Sequence, residues 1–147
     1  MTAEHDLVVR RMGTLLTEHL SATDCEVLVK DADTSATPDI EVRCGGTTCL
    51  IVEVMTPQSE SLDYGGGFSR HRAHPAVQEI VQIALAYRWG NVFRRHVDHG
   101  NQWMLQTFEA GETVVLTSVE LHVSMGELFA GLGPAPVPLY RSADSAT

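Results

Sequence analysis

The order of hydrophobic patterns along this chain predicts an α/β protein, with a mixed sheet flanked by helices and a C-terminal β-hairpin extension. The first half alternates between helix and strand patterns, starting with an amphipathic helix. The second half contains mainly short apolar segments separated by turn residues, which is typical of hairpins. The chain has 147 residues, of which 44% are hydrophobic and 20% charged, so it has the composition and the length of one globular domain.

The first helix is predicted over residues 3–20, because apolar residues such as Val8, Met12 and Leu16 recur at the spacing of one helix face. Three strands should follow, the second and third joined by a tight turn at Gly45 and Gly46. The third is almost continuously apolar, which is typical of a strand covered on both faces. The predicted strand ranges are 25–30, 39–44 and 49–55.

The second half begins with a weaker helix candidate at residues 62–74, which contains a run of three glycines at 65–67. Each glycine inside a helix costs about 1 kcal/mol relative to alanine, so this turn is as readily a loop. We expect a domain over residues 1–132 and a tail rich in Pro, Ala and Ser over 133–147, disordered from 142. The remaining predicted elements are strands at 77–85, 91–96, 102–109 and 113–116, and a helical turn at 124–129.

Charge and targeting signals restrict the class of protein. The formal net charge is −9 and Lys30 is the one lysine, which disfavours DNA binding, because Lys and Arg supply most affinity for phosphates. Five arginines nevertheless lie between residues 70 and 95, and a local patch can still face phosphate. The sequence holds no apolar run of the roughly 20 residues that span a bilayer. Residues 1–11 lack a signal pattern, so we expect a cytoplasmic protein.

The chain has three cysteines, Cys25, Cys44 and Cys49. An odd number without a signal pattern argues against a disulfide framework. They do not show the spacing of a metal site: no two cysteines are separated by two residues, and no histidine lies near them at the spacing of metal ligands. We therefore predict buried or half-buried thiols, with Cys44 and Cys49 on neighbouring strands.

One residue contradicts the pattern of its own strand: Glu53 lies within an otherwise apolar segment. Burial of an unpaired carboxylate is costly, so Glu53 needs a cation, an arginine or backbone donors. If the second and third strands are neighbours, Asp39 converges with Glu53. Two carboxylates and a carbonyl suit Mg²⁺ or Mn²⁺, which can activate water and stabilise charge on a phosphoryl group. Alternatively, Glu53 pairs with Arg43 or Arg70 and Asp39 only ends a loop.

Several segments in this order resemble one family. Residues 37–42 read TPDIEV, residues 50–59 read LIVEVMTPQS, and Asp63 follows Glu53 by ten positions. Glu4-His5 at the first helix, residues 72–83 and residues 103–116 add weaker matches. Together these motifs resemble the Uma-type restriction endonuclease family, a branch of the PD-(D/E)XK nucleases, over about residues 4–132. The resemblance implies a restriction-endonuclease-like core.

The resemblance also implies roles for individual residues. Asp39 and Glu53 would be the catalytic carboxylates that bind the metal, with the carbonyl of Val54, and Asp63 would lie next to the site. The lysine that the superfamily carries two residues after the acidic strand position is replaced by Met55. The later position that this family uses is Gly67, so both places lack an amine. Arg70 lies three residues after Gly67, on the same face if a helix forms, and would replace that charge in part. Arg70 and Arg72 would contact nucleic acid.

Two function hypotheses stay open. The first is an enzyme that hydrolyses DNA phosphodiesters with Mg²⁺ or Mn²⁺. The second is a catalytically inactive nuclease fold that serves as a nucleic-acid-binding or protein-interaction module, as the missing lysine and the acidic net charge suggest. No organic cofactor and no membrane partner are expected. The late hairpins offer strand edges that a homodimer could pair.

Overall fold

The computed structural model describes residues 3–30, 38–56, 75–96, 98, 102–133 and 135. The helix candidate at 62–74 and the end of the tail lie outside this part of the chain. The first helix, α1, runs from Ala3 to His19 and confirms the predicted helix. Within the described ranges, no helix is both long and apolar enough to cross a membrane.

A six-stranded sheet forms the centre of the molecule, and its strand order follows the sequence from β1 to β6. The third and fourth strands are parallel, and every other neighbouring pair is antiparallel. The sheet is therefore mixed, which confirms the predicted fold class. Its strands are β1 (Cys25–Val29), β2 (Ile40–Cys44), β3 (Thr47–Met55), β4 (Glu79–Ala84), β5 (Trp89–Arg95) and β6 (Trp103–Phe108).

The C-terminal part adds a second sheet of two strands, β7 (Thr113–Leu116) and β8 (Leu121–Ser124). The β8 strand was not predicted, whereas the short helix α2 (Met125–Leu128) confirms the predicted helical turn. The predicted hairpin of β5 and β6 is also confirmed, and it extends the main sheet. A 3₁₀ helix (Leu85–Tyr87) links β4 to β5.

One face of the main sheet packs against α1. Leu50, Val52 and Val54 of β3 are buried in one cluster with Val8 and Leu16 of the helix. The close approach of helix and sheet explains Gly13, because a Cβ atom there would lie 2.8 Å from Val29 Cγ2. Successive residues of a strand point to opposite faces, so Glu53 lies on the face of the sheet opposite to this core.

The predicted absence of disulfides is wrong, because Cys25 and Cys44 form one. The two residues are direct partners in the antiparallel pairing of β1 with β2, and such pairing brings side chains close together. A count of cysteines cannot reveal this pairing. The prediction that Cys44 and Cys49 occupy neighbouring strands is confirmed, and Cys49 is a free thiol. The turn between these strands has positive φ at both Gly45 and Gly46, as a two-residue hairpin requires.

Candidate functional site

Asp39 is the point at which three elements meet. It directly precedes β2 and is only 6% exposed. Its Oδ2 atom accepts a hydrogen bond of 2.7 Å from the backbone N–H of Val54 on β3. Its Oδ1 atom lies 3.4 Å from Nε2 of His5 on α1 and 3.8 Å from Nζ of Lys30, which follows β1. The carboxylate is therefore fixed by the backbone on one side and faces two basic side chains on the other.

The strand registers align Asp39 with residues of both neighbouring strands. Ile40 pairs with Val52, so the preceding residue Asp39 lies opposite Glu53. Val29 pairs with Ile40, which places Lys30 opposite Asp39, and the N–H of Lys30 donates to the carbonyl of Asp39 at 2.9 Å. Continued by one residue, these registers bring Lys30, Asp39 and Glu53 to the same level of three adjacent segments. The carboxylate of Asp39 itself turns to the N–H of Val54 and to His5 of α1.

Polar residues occupy this level on the remaining strands as well. Glu53 pairs with Gln82 of β4, Gln82 with Asn91 of β5, and Asn91 with Thr107 of β6. The hydroxyl of Thr107 donates to Oδ1 of Asn91 at 3.2 Å. Glu53 and Gln82 are each 1% exposed, so the centre of this set is deeply buried. We call this set the polar row; its members are Lys30, Asp39, Glu53, Gln82, Asn91 and Thr107.

His5 connects the N-terminal helix to the polar row. The hydrogen bond to Asp39 is the largest influence on its pKa and raises it, and the charge of Asp39 and the contact with Asp6 act in the same direction, whereas burial lowers it. Its Nδ1 atom lies 3.3 Å from Oδ1 of Asp6. The net effect is a raised pKa, because protonation places a positive charge between two carboxylates.

A second buried glutamate lies on the neighbouring strand and on the other face. Glu79 of β4 is 1% exposed and accepts hydrogen bonds from the backbone N–H and the hydroxyl of both Thr117 and Ser118. Nε of Arg94 on β5 also donates to it at 2.9 Å. This carboxylate therefore joins the turn between β7 and β8 to the main sheet, and we assign it a structural role.

The structure argues against one alternative for Glu53, its pairing with Arg43. Arg43 forms an ion pair of 2.9 Å with Glu41 of its own strand, so that arginine is engaged elsewhere. Asp63, Arg70 and Arg72 lie outside the described residues, and their roles stay predictions. Val54 contributes its N–H to Asp39, whereas its carbonyl as a metal ligand stays a prediction.

Sequence reasoning missed the contacts of His5 and Lys30 with Asp39 and the position of Gln82. Gln82 carries the same signal as Glu53, a polar residue within a fully buried strand. Lys30 could have been found from the pairing of β1 with β2, because Lys30 directly follows β1 and Asp39 directly precedes β2. His5 has no comparable signal, since its contact depends on how α1 is placed on the sheet.

The carboxylate oxygens of Asp39 and Glu53 belong to the ligand class that a hard divalent cation prefers. Carboxylate and carbonyl oxygens are the ligands that Mg²⁺ prefers, and proteins often hold it through one or two carboxylates, with water and substrate phosphate completing the shell. Among the residues that the structure describes, no group of three His, Cys, Asp or Glu side chains could hold a metal ion. A site here would therefore need ligands in addition to the two carboxylates.

Comparison with solved structures identifies a protein with the same fold. A crystal structure from Anabaena variabilis ATCC 29413, described as a "putative nuclease belonging to DUF820", matches with a TM-score of 0.68. The match covers 88% of this chain and 82% of that one, at 16% sequence identity. The two chains share a fold.

Sequence comparison adds a relative. The uncharacterized protein slr1290 of Synechocystis sp. (strain ATCC 27184 / PCC 6803 / Kazusa) is 23% identical over 145 residues, which covers 87% of this chain and 75% of the relative. No family model matches the chain.

Proposed function

We propose that this protein is a nuclease-like hydrolase of DNA phosphodiesters that depends on Mg²⁺ or Mn²⁺, in the manner of the Uma-type branch of the PD-(D/E)XK nucleases. The observation that carries the proposal is the position of Asp39, which lies 3.8 Å from the ammonium of Lys30 and is hydrogen-bonded to β3 next to Glu53. The fold shared with a protein described as a nuclease supports the same class of chemistry. Asp39 and Glu53 would hold the ion, together with the carbonyl of Val54.

The protein's own residues supply three functions at this site. The N–H of Val54 holds one oxygen of Asp39 in place, and His5 orients the other. The ammonium of Lys30 lies beside Asp39 with 14% of its side chain exposed, so it is a candidate for stabilising negative charge that develops on a phosphate. When bound, the metal ion would supply Lewis acidity toward water and phosphoryl oxygens.

Lys30 thus provides a compact cation although Met55 and Gly67 occupy the positions where the resembling family carries its lysine. Arg70 was the replacement expected from the sequence. An ammonium is a point charge on a flexible stem, whereas a guanidinium is a planar fork. Lys30 therefore matches the missing group more closely in chemistry.

One observation favours the second hypothesis, a catalytically inactive nuclease fold used for binding. Oδ1 of Asp39 already faces two basic groups of the chain itself, His5 and Lys30. Internal cations of this kind can neutralise a carboxylate in the absence of a metal ion. Catalysis therefore requires that Mn²⁺ compete with these side chains, whereas the inactive fold does not.

The test is calorimetric titration of Mn²⁺ into the wild type and into Asp39→Asn, Glu53→Gln and Glu41→Gln. We expect saturable binding in the wild type and loss of binding in Asp39→Asn and Glu53→Gln. Glu41→Gln is the control: it removes a carboxylate from β2 and should bind as the wild type does. Metal-dependent cleavage of plasmid and single-stranded DNA should follow the same pattern. Binding without cleavage would favour the inactive fold. Absence of binding in the folded wild type would contradict the metal site.

The predicted homodimer stays a prediction, and β6 is the edge at which we expect it. Among the described strands, β6 has a neighbour on one side only. The N–H of His96 donates to the carbonyl of Gln102, and hydrogen-bonded pairs alternate in an antiparallel ladder, so Leu105 and Thr107 direct their backbone groups outward. Leu105 is 58% exposed, and the strand contains no charged residue, which leaves this edge without the usual protection against pairing.

A second copy would fit this edge with Leu105 on a two-fold axis, opposite its own equivalent. Edge pairing of six residues is small compared with the roughly 800 Å² per partner of a stable interface, so we expect dimerisation that depends on concentration. Sedimentation velocity should show a dimer that Leu105→Lys dissociates and Glu26→Gln, an equal charge change at the opposite edge, does not. A wild type that stays monomeric at high concentration would refute the prediction.

A further inference from the structure

The three cysteines form one cluster at the end of β1 and β2 remote from Asp39. Cys25 and Cys44 are bonded to each other, and Sγ of Cys49 lies 3.5 Å from Sγ of Cys44. All three residues are half-buried, which leaves them within reach of small reagents. A free thiol next to a disulfide is the arrangement from which thiol–disulfide exchange begins.

A β-bulge explains why Cys49 reaches this position. Val42 pairs with Leu50, but the next residue, Arg43, pairs with Thr48, so the register skips Cys49. A bulge bends its strand and redirects the side chain of the extra residue. Here the redirected side chain is the thiol that contacts Cys44. The contact between Cys49 and Cys44 thus arises from the bulge in β3, whereas regular pairing of β2 with β3 would not produce it.

We propose that Cys25, Cys44 and Cys49 constitute a thiol–disulfide exchange site, in which Cys49 attacks Cys44 and displaces Cys25. In this step the thiolate of Cys49 forms a bond to Sγ of Cys44. The bond between Cys44 and Cys25 breaks, and its electron pair leaves with Cys25, which takes up a proton. The chain holds one disulfide and one thiol before and after the step, so no external oxidant or reductant is needed.

The position of the disulfide affects how β1 is held. The bond between Cys25 and Cys44 ties this edge strand to β2 at one end, and Lys30 contacts Asp39 beyond the other end. After exchange, β1 is held by its hydrogen-bond ladder and by packing, because the new bond joins β2 to β3. Burial raises the pKa of the Cys49 thiol, which keeps the reactive thiolate scarce and the exchange slow. This inference concerns the sulfur atoms and does not depend on the proposed nuclease function.

The first experiment traps Cys25 in the disulfide-bonded protein with iodoacetamide and measures its labelling by peptide mass spectrometry. In the wild type, exchange exposes Cys25 repeatedly, so labelling should accumulate together with a bond between Cys44 and Cys49. In Cys49→Ser the attacking thiol is absent, and labelling of Cys25 should fall at least tenfold. Equal labelling of Cys25 in the two proteins would overturn the proposal.

A second variant keeps the test independent of the trapping rate. Cys25→Ser retains only Cys44 and Cys49, which should form an intramolecular disulfide when the folded protein is treated with oxidised glutathione. Cys49→Ser treated in parallel should form the bond between Cys25 and Cys44. If Cys44 and Cys49 stay as free thiols under conditions that oxidise Cys25 and Cys44, the exchange site does not exist. Absence of the Cys25–Cys44 bond from the oxidised wild type would likewise overturn the proposal.

Discussion

Glu53 and Glu79 are two equally buried glutamates on neighbouring strands, and their surroundings differ. Both side chains are 1% exposed. Glu79 faces the core side, where Arg94, Thr117 and Ser118 donate five hydrogen bonds to it. Glu53 lies on the opposite face, paired with Gln82, and the residue that precedes its neighbouring strand is Asp39. Glu53 also has a further polar or electrostatic interaction.

The difference shows how a structural carboxylate can be distinguished from a candidate functional one. Glu79 is surrounded by groups that donate to it and by an arginine, so its charge is balanced within the fold. The register of β2 and β3 sets Glu53 beside Asp39, and like charges directly across two strands are destabilising. Under the proposed function this acidic pair binds a metal ion, which would offset the repulsion. The predictions below test this contrast.

The largest effect should come from replacing Glu79. Glu79→Gln removes the charge that Arg94 and the turn at Thr117 depend on, and breaking a buried pair from one side costs about 3–5 kcal/mol. Urea denaturation should show this loss of unfolding free energy. Glu53→Gln should cost much less in chelator, because it also removes repulsion from Asp39. Equal losses in the two isosteric variants would contradict the contrast.

The second prediction concerns stabilisation by metal. A ligand that binds only the folded state at 100 times its Kd raises the unfolding free energy by about 2.7 kcal/mol. Excess Mn²⁺ should therefore raise the melting temperature of the wild type and leave Glu53→Gln unchanged. The control is Glu41→Gln, which should respond as the wild type does. A response that persists in Glu53→Gln would place the ion elsewhere.

A smaller effect is expected at Lys30. Its ammonium lies 3.8 Å from Oδ1 of Asp39, so it opposes the approach of a cation to the same carboxylate. Lys30→Gln should tighten Mn²⁺ binding by up to about tenfold, or ~1.4 kcal/mol, while metal-dependent cleavage decreases. Lys30→Arg keeps the charge and should leave the affinity near that of the wild type. Weaker Mn²⁺ binding in Lys30→Gln would show that Lys30 helps to hold the site together.

The smallest effect is the pH dependence due to His5. Its contacts with Asp39 and Asp6 raise its pKa above the ordinary value of 6.5. The stabilisation from protonated His5 is therefore complete below that value and is lost as the pH rises through the folded-state pKa. In chelator, the difference in unfolding free energy between the wild type and His5→Gln should shrink from pH 5.5 to pH 8.5. A difference that grows over this range would reverse the assigned direction.

The sequence predicted the elements more completely than the contacts between them. Helix α1 and the strands that border Asp39 and Glu53 follow from apolar periodicity, which depends only on local residue order. The opposition of Asp39 and Glu53 required the strand pairing, which was assumed from the sequence and is now seen. The contact of His5 with Asp39 depends on helix docking, which no local pattern encodes.

Two of the errors share one cause. The disulfide between Cys25 and Cys44 and the approach of Lys30 to Asp39 both arise from the pairing of β1 with β2. The sequence does not show which residues of these two strands lie opposite each other. The missed strand β8 lies in a short hairpin whose turn includes Glu120 at positive φ, a conformation that is uncommon outside glycine.

The contacts of Arg11 have a consequence for how the chain is made. Its guanidinium donates to the carbonyls of Leu128 and Ala130, at 2.9 and 2.7 Å. The helix thus receives these two contacts from residues that are synthesised 117 and 119 positions after Arg11. Until then the nascent chain presents an incompletely covered apolar surface, and exposed apolar surface makes an incompletely folded chain prone to aggregation. A stop codon placed before Leu128 should therefore yield a product that chaperones and proteases recognise, although every residue of the polar row has been synthesised.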